Sequence, residues 1–270
     1  MKIYLSIFLL ILLFSCGDNK DISHLSIFKY NESAGINSLD PAFSKDQASV
    51  WAVSQLFNGL VQLDSNLNVK PSIASSWVIS SNCLVYEFYL RNDVYFHDHK
   101  NFNNSKGRRV TAYDFKHSFS RLIDEDIASP GRWVLANVSS FDALNDSVFI
   151  INLKNPFPGF LGLLTMQYCS VVPIEITKSL DFHSNPIGTG PFKFQLWENG
   201  EKLIFRKNPN YFEYSNGKAL PLLDGVAITF LRDKQAAFLQ FVIGNTDFLS
   251  GIDASYKDEL LTKEGLLNPK

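Results

Sequence analysis

Apolar and polar positions alternate in short runs along most of the chain, with no internal repeat and no low-complexity stretch. The period of the pattern switches between two and about 3.6, which predicts a mixed α/β architecture. Leu25 to Tyr30 predicts a first strand. Gln47 to Leu60 places Val50, Val53, Leu56, Phe57 and Leu60 at helical spacing, with Asn58-Gly59 as its frayed end. From Leu84 to Leu90 the residues Leu84, Tyr86, Phe88 and Leu90 face one way and Val85, Glu87 and Tyr89 the other, a half-buried strand. Thr111 to Ile123 is a helix, with Phe115, Phe119 and Leu122 on one face and a Thr111/Asp114 capping box. Val148 to Leu153 is a strand stopped by Asn155-Pro156. Phe192 to Trp197 and Lys202 to Phe205 make a hairpin across Glu198-Asn199-Gly200. Val226 to Leu231 is a strand, Lys234 to Ile243 a helix and Asp247 to Leu249 a last strand; Asp253 caps a helix running through Leu261.

The amino terminus breaks this pattern. After Lys2, Ile3 to Phe14 is apolar except for Ser6. That run is too short to span a bilayer and suits a secretory leader. It ends in Leu13-Phe14-Ser15-Cys16, which resembles a bacterial lipobox and implies cleavage before Cys16 with a diacylglyceryl group on its sulfur. An ordinary cleaved leader with an incidental Cys is the other reading. Residues 17–23 form a polar tether.

Composition narrows the function. The chain of 270 residues is 46% apolar and 19% charged, as a packed protein is. A net charge of −2 carries no basic footprint for nucleic acid. The 23 Phe, 10 Tyr and 4 Trp suit both a large core and a ligand pocket. Cys83 and Cys169 either pair in an oxidising compartment or sit as small, separately buried residues. His97-Asp98-His99 has the strand spacing that starts a metal site, but no third ligand stands nearby in sequence. Gly-x-Ser-x-Gly, His-Glu-x-x-His and phosphate-loop motifs are absent, so neither catalysis nor a cofactor is indicated, and a secreted hydrolase is a distant rival.

Four ordered blocks carry a resemblance. The first is Leu39-Asp40-Pro41 with Leu56-Phe57-Asn58-Gly59-Leu60-Val61 and Pro71-Ser72-Ile73-Ala74-Ser75-Ser76-Trp77. The second runs from Tyr86 to Asp98 and includes Phe96-His97-Asp98. The third is Val110-Thr111-Ala112-Tyr113-Asp114-Phe115 with Ser118-Phe119 and Arg121-Leu122. The fourth is Asn185-Pro186-Ile187-Gly188-Thr189-Gly190-Pro191-Phe192 with Asn208-Pro209-Asn210-Tyr211-Phe212. Gly188 and Gly190 read as a scaffold turn, with the freedom to take positive φ ahead of a strand. From about residue 25 to 250 the chain resembles family 5 of the extracytoplasmic solute-binding proteins, the oligopeptide-, dipeptide- and nickel-binding class of ABC importers.

The resemblance implies an α/β fold of the periplasmic-binding-protein type (type II, cluster C), in which two lobes close over ligand by a hinge. It implies a lobe I core of residues 24–57 plus 173–246, an inserted subdomain at 58–172, and a hinge with the start of lobe II at 247–270. Members of the family run to about twice this length, so most of lobe II is expected to be missing, and the chain alone is expected not to clamp ligand. The implied ligand-facing loops hold Lys45, Asp46 and Gln47, and then Arg132 and Trp133. Trp133 either stacks on ligand or sits on a plain surface loop. The implied role is capture of peptides outside the cytoplasmic membrane by a monomer held through its lipid anchor, and delivery to a permease and ATPase. Nickel chelate, haem or another small solute on the same scaffold is the alternative, as is a truncated structural lipoprotein that no longer transports.

Overall fold

A computed structural model describes residues 25–177, 181–266 and 268. The apolar leader, Cys16 and the tether lie outside the described residues. In chain order the elements are β1 (Ile27–Asn31), α1 (Gln47–Leu56), β2 (Val61–Leu63), β3 (Val69–Pro71), β4 (Ala74–Ile79), β5 (Val85–Leu90), α2 (Ala112–Ile123), β6 (Val138–Asn145) and β7 (Val148–Leu153). There follow α3 (Phe160–Leu163), β8 (Phe192–Glu198), β9 (Lys202–Lys207), β10 (Tyr214–Ser215), β11 (Lys218–Ala219), β12 (Gly225–Thr229), α4 (Lys234–Val242) and α5 (Lys257–Leu260). Among the described residues no helix is long and apolar enough to cross a membrane.

Two four-stranded sheets organise the molecule, in the orders β1-β12-β9-β8 and β4-β5-β7-β6. In the first sheet β1 runs parallel to β12, from Ile27 opposite Gly225 to Asn31 opposite Thr229; the other pairs are antiparallel. The buried Asn31 clamps this end: its amide donates to the Leu231 carbonyl at 3.0 Å and its oxygen accepts from the Leu231 N–H at 2.8 Å. On the free side of β1, Asp247 answers Lys29 with two bonds of 2.7 Å, and Tyr30 forms a parallel bridge with Phe248. The strand expected over 247–249 is therefore a single bridge.

All strands of the second sheet lie between residues 74 and 153. The predicted alternation of β5 is seen: Tyr86, Phe88 and Leu90 are buried, while Tyr89 is exposed. Helix α2 lies on this sheet through a ring cluster in which Phe119 meets Phe149 edge-on at 5.3 Å and Phe115 meets it at 5.9 Å. Such aromatic pairs add to what their buried area already contributes. Helix α2 starts where expected, with the buried Asp114 carboxylate accepting the Thr111 N–H at 2.9 Å and its hydroxyl at 3.0 Å. The two sheets share one continuous apolar core.

Helix α1 stops at Leu56, four residues before the pattern predicted, because the next residues belong to a polar junction. The Gly190 N–H donates to the Leu56 carbonyl at 2.8 Å. Thr189 donates to Asn58 at 3.0 Å, and Asn58 donates to the Tyr211 hydroxyl at 3.1 Å. The Gly190 carbonyl in turn accepts from Asn208 at 3.0 Å and from His97 Nε2 at 3.0 Å. The first, second and fourth sequence blocks thus meet at one node.

The two glycines of that node are needed for a different reason from the one expected. Neither Gly188 nor Gly190 adopts positive φ. A Cβ on Gly188 would lie 2.0 Å from the Leu56 carbonyl oxygen, and one on Gly190 would lie 2.4 Å from the Leu56 carbonyl carbon. Close approach of two backbones, and not a left-handed turn, excludes side chains here.

Candidate functional site

The site grows from a buried ion pair. Asp40 caps a short 3₁₀ turn at Pro41–Phe43 by accepting the Ala42 N–H at 3.0 Å. Its two oxygens also accept from Arg121 of α2, at 3.0 Å from Nη1 and 2.5 Å from Nη2. Both side chains are nearly fully buried. Two-pronged pairing of this kind fixes orientation as well as charge. It sets where the 41–47 segment leaves the core.

A second segment docks on the first. Ser129 opens the 3₁₀ turn Pro130–Leu135, and its hydroxyl donates to the Ala42 carbonyl at 2.6 Å. The same hydroxyl accepts the Gly131 N–H at 3.0 Å. Gly131 stands where a Cβ would lie 2.4 Å from the Tyr168 ring, so the turn lies flat against that ring. Tyr168 also faces the first segment: burial raises its hydroxyl above the ordinary value, and the Asp46 carboxylate raises it further. Residues 40–47, 129–133 and Tyr168 form one assembly.

The five residues singled out from sequence divide by role. Lys45, Gln47 and Arg132 are exposed, and Trp133 is 53% exposed, so four of them stand open on two adjoining loops. Among the described residues Lys45 has no ion-pair partner, and Arg132 meets only the exposed Glu125, at 3.5 Å. Asp46 is different. Its carboxylate accepts the Ser49 N–H at 2.9 Å and the Ser49 hydroxyl at 3.0 Å, which caps α1. Asp46 positions the helix and the loop before it.

The assembly offers an exposed indole face, a guanidinium, an ammonium and an amide, the groups that hold a polar ligand by stacking and hydrogen bonds. Sequence reasoning missed Tyr168 and the Ser129–Ala42 joint. The contacts that define both span tens of residues along the chain, and no local pattern announces them.

His97 is not poised as a ligand. It is 4% exposed, and its two ring nitrogens face the Gly190 carbonyl and the Gly188 N–H, the latter at 3.4 Å. Burial pushes its pKa down to about 4, so it is neutral at ordinary pH, donating through Nε2 and accepting at Nδ1. Cys83 and Cys169 are both free thiols, the first half-buried and the second buried.

A family model described as bacterial extracellular solute-binding proteins, family 5 Middle, matches residues 68–269. The oligopeptide-binding protein AppA of Bacillus subtilis is 28% identical over 251 residues, covering 90% of this chain and 43% of that protein. Heme-binding protein A of Haemophilus influenzae is 27% identical over 254 residues, covering 84% of this chain and 45% of that protein. The chain therefore spans less than half the length of these relatives. Among solved structures, the periplasmic binding protein DppA from Helicobacter pylori, in complex with the peptide STSA, superposes with a TM-score of 0.78 at 30% identity, over 87% of this chain and 48% of that one. NikZ from Campylobacter jejuni, in complex with Ni(L-His), gives 0.73 at 28% identity, over 87% and 45%.

Proposed function

Because the chain belongs to the bacterial extracellular solute-binding proteins, family 5, we propose that it supplies the first lobe of a lipid-anchored binding protein that captures peptides for an ABC importer. The observation that carries this reading is the joint between Ser129 and Ala42, which holds Lys45, Gln47, Arg132 and Trp133 open on adjoining loops. Trp133 stacks on the ligand, and the cations and Gln47 meet its polar groups. The layout of the sheets supports a lobe core of residues 24–57 plus 173–246, an inserted subdomain at 58–172 and a hinge from 247. Cys16 bears the lipid, and residues 17–23 tether the fold to the outer side of a membrane. The likeness to a haem-binding protein and to a structure holding a nickel–histidine complex makes those solutes the competing ligands.

Calorimetry on the protein as the cell makes it tests the ligand class. Short peptides are expected to bind, and Trp133→Ala to weaken them on the order of tenfold. Binding of nickel–histidine or haem with no peptide binding overturns the peptide reading. Metabolic labelling with radioactive palmitate tests the anchor, and label that survives Cys16→Ala removes it.

A further inference from the structure

The two most exposed large apolar side chains among the described residues belong to two neighbouring hairpins. Leu67, 76% exposed, is at the tip of β2–β3, and Tyr214, 70% exposed, is in β10–β11. The hairpins are tied together: the Gln62 amide of β2 donates to the Glu213 carboxylate, beside Tyr214. Leu67 also holds a left-handed backbone at φ +63°, which suits glycine or asparagine better than leucine. The tip bears backbone strain and an apolar side chain in water at once, and strain of this kind points to a function.

The surface continues to the start of the fold. The Leu220 N–H donates to the Glu213 carbonyl at 3.0 Å, and exposed Leu222 stands two residues further on. Asp224 then bonds Ser26 twice: its N–H donates to the Ser26 carbonyl at 2.8 Å, and its carboxylate accepts the Ser26 N–H at 3.0 Å. That sets exposed Leu25 beside this loop. Lys70 and Lys218 are exposed on the same two hairpins. The nearby carboxylates are engaged, Glu213 by Gln62, Asp224 by Ser26, and Asp64 by the N–H groups of Asn66 and Asn68 at 2.8 and 2.9 Å. Apolar tips, a tyrosine and exposed lysines suit the headgroup region of a bilayer. The chain itself points to that occupant. Eight residues, 17–24, separate Cys16 from Leu25. Fully extended they reach about 30 Å, so an anchor at Cys16 holds this face over the lipid at high effective concentration, where a weak contact is enough.

We propose that Leu25, Leu67, Tyr214 and Leu222 form a membrane-contact face that lies on the lipid surface at which Cys16 is anchored. This rests on the lipoprotein reading above, and the test supplies an anchor of its own. The mature chain from Cys16, carrying Cys83→Ser and with Cys169 buried, is coupled through Cys16 to maleimide-headgroup lipid. The vesicles are phosphatidylcholine with brominated acyl chains, which quench indole fluorescence. Tyr214→Trp adds an indole on the face, and Ala34→Trp adds one past the opposite end of β1, where Ala34 is exposed. On coupling, Tyr214→Trp is expected to lose most of its added fluorescence and Ala34→Trp to keep it. Leu67→Ser with Leu222→Ser is expected to restore the lost signal. Equal quenching of both variants, no quenching in Tyr214→Trp, or quenching unchanged by the two serines overturns the proposal. So does a soluble chain that sediments as a dimer and turns monomeric with those serines, which assigns the face to a second copy. The expected quenching in the coupled protein, with no palmitate label in the natural one, removes the natural anchor and leaves the contact face standing.

Discussion

Asp40 and Arg121, 81 residues apart in sequence, form a two-pronged ion pair sealed from solvent. Removing one partner strands the other charge, at a cost of about 3–5 kcal/mol, whereas replacing both by groups of similar size is far milder. Arg121→Met is therefore expected to lower the urea midpoint sharply, and Asp40→Asn combined with Arg121→Met to recover most of the loss. A double variant as unstable as the single one would show that the pair does not act as a unit.

Gly188→Ala and Gly200→Ala separate two kinds of glycine. The first would press a methyl into the end of α1, while Gly200 sits at φ +77° with open space around its Cα. Gly200→Ala is expected to cost about 1 kcal/mol through backbone strain alone. Gly188→Ala should cost clearly more, because backbone has to move to admit it. Thermal midpoints of the two variants, compared side by side, give the ordering.

His97 sets a pH window. Its folded pKa of about 4 lies below the ordinary 6.5. As pH falls through 6.5 the unfolded chain takes up a proton that the folded protein refuses, so stability declines from there down to about pH 4 and then levels off. The full effect is roughly 3 kcal/mol. The half-buried His99, lowered by burial and by Lys100, adds in the same direction. Carboxylates held low by their partners, such as Asp93 beside Arg91 and Glu175 beside Arg108, add a later loss as pH passes below their own ordinary values. Denaturation midpoints measured between pH 6.5 and 5 should fall with pH in the parent and be flatter in His97→Gln.

The two thiols should differ in reactivity. Burial pushes Cys169 up to about 12, while Cys83 is half-buried in the turn between β4 and β5. Since the thiolate is the reacting species, a maleimide at neutral pH is expected to label Cys83 in the native protein and Cys169 only after unfolding. Rapid native labelling of Cys169 in Cys83→Ser would contradict this burial.

Local pattern carried far in some elements and not in others. Helix α2 was legible because its apolar stripe and its Thr111/Asp114 cap agree, and β7 was legible because its alternation ends at Asn155-Pro156. Strand β4 was not: Ala74-Ser75-Ser76-Trp77 lies at a sheet edge, where one face and one edge meet solvent and apolar alternation is weak. Strand β6 hides in the same way behind Ser139, Ser140, Asp142 and Asn145. The end of α1 was misplaced because Asn58 and Gly190, 132 positions apart, decide it together. At the candidate site, the motif blocks pointed to two loops that lie side by side in the fold, yet they left the helix-capping part of Asp46 and the place of Tyr168 unread, since both depend on contacts made only after folding.

The parallel pairing of β1 with β12 bears on when this chain can fold. The first strand has its partner 198 positions downstream, and a chain emerging from the ribosome carries an unmatched β1 until Thr229 has been made. Pairings of such long range are slow to form. By withholding the mate of its first strand until late in synthesis, the topology delays consolidation of this sheet.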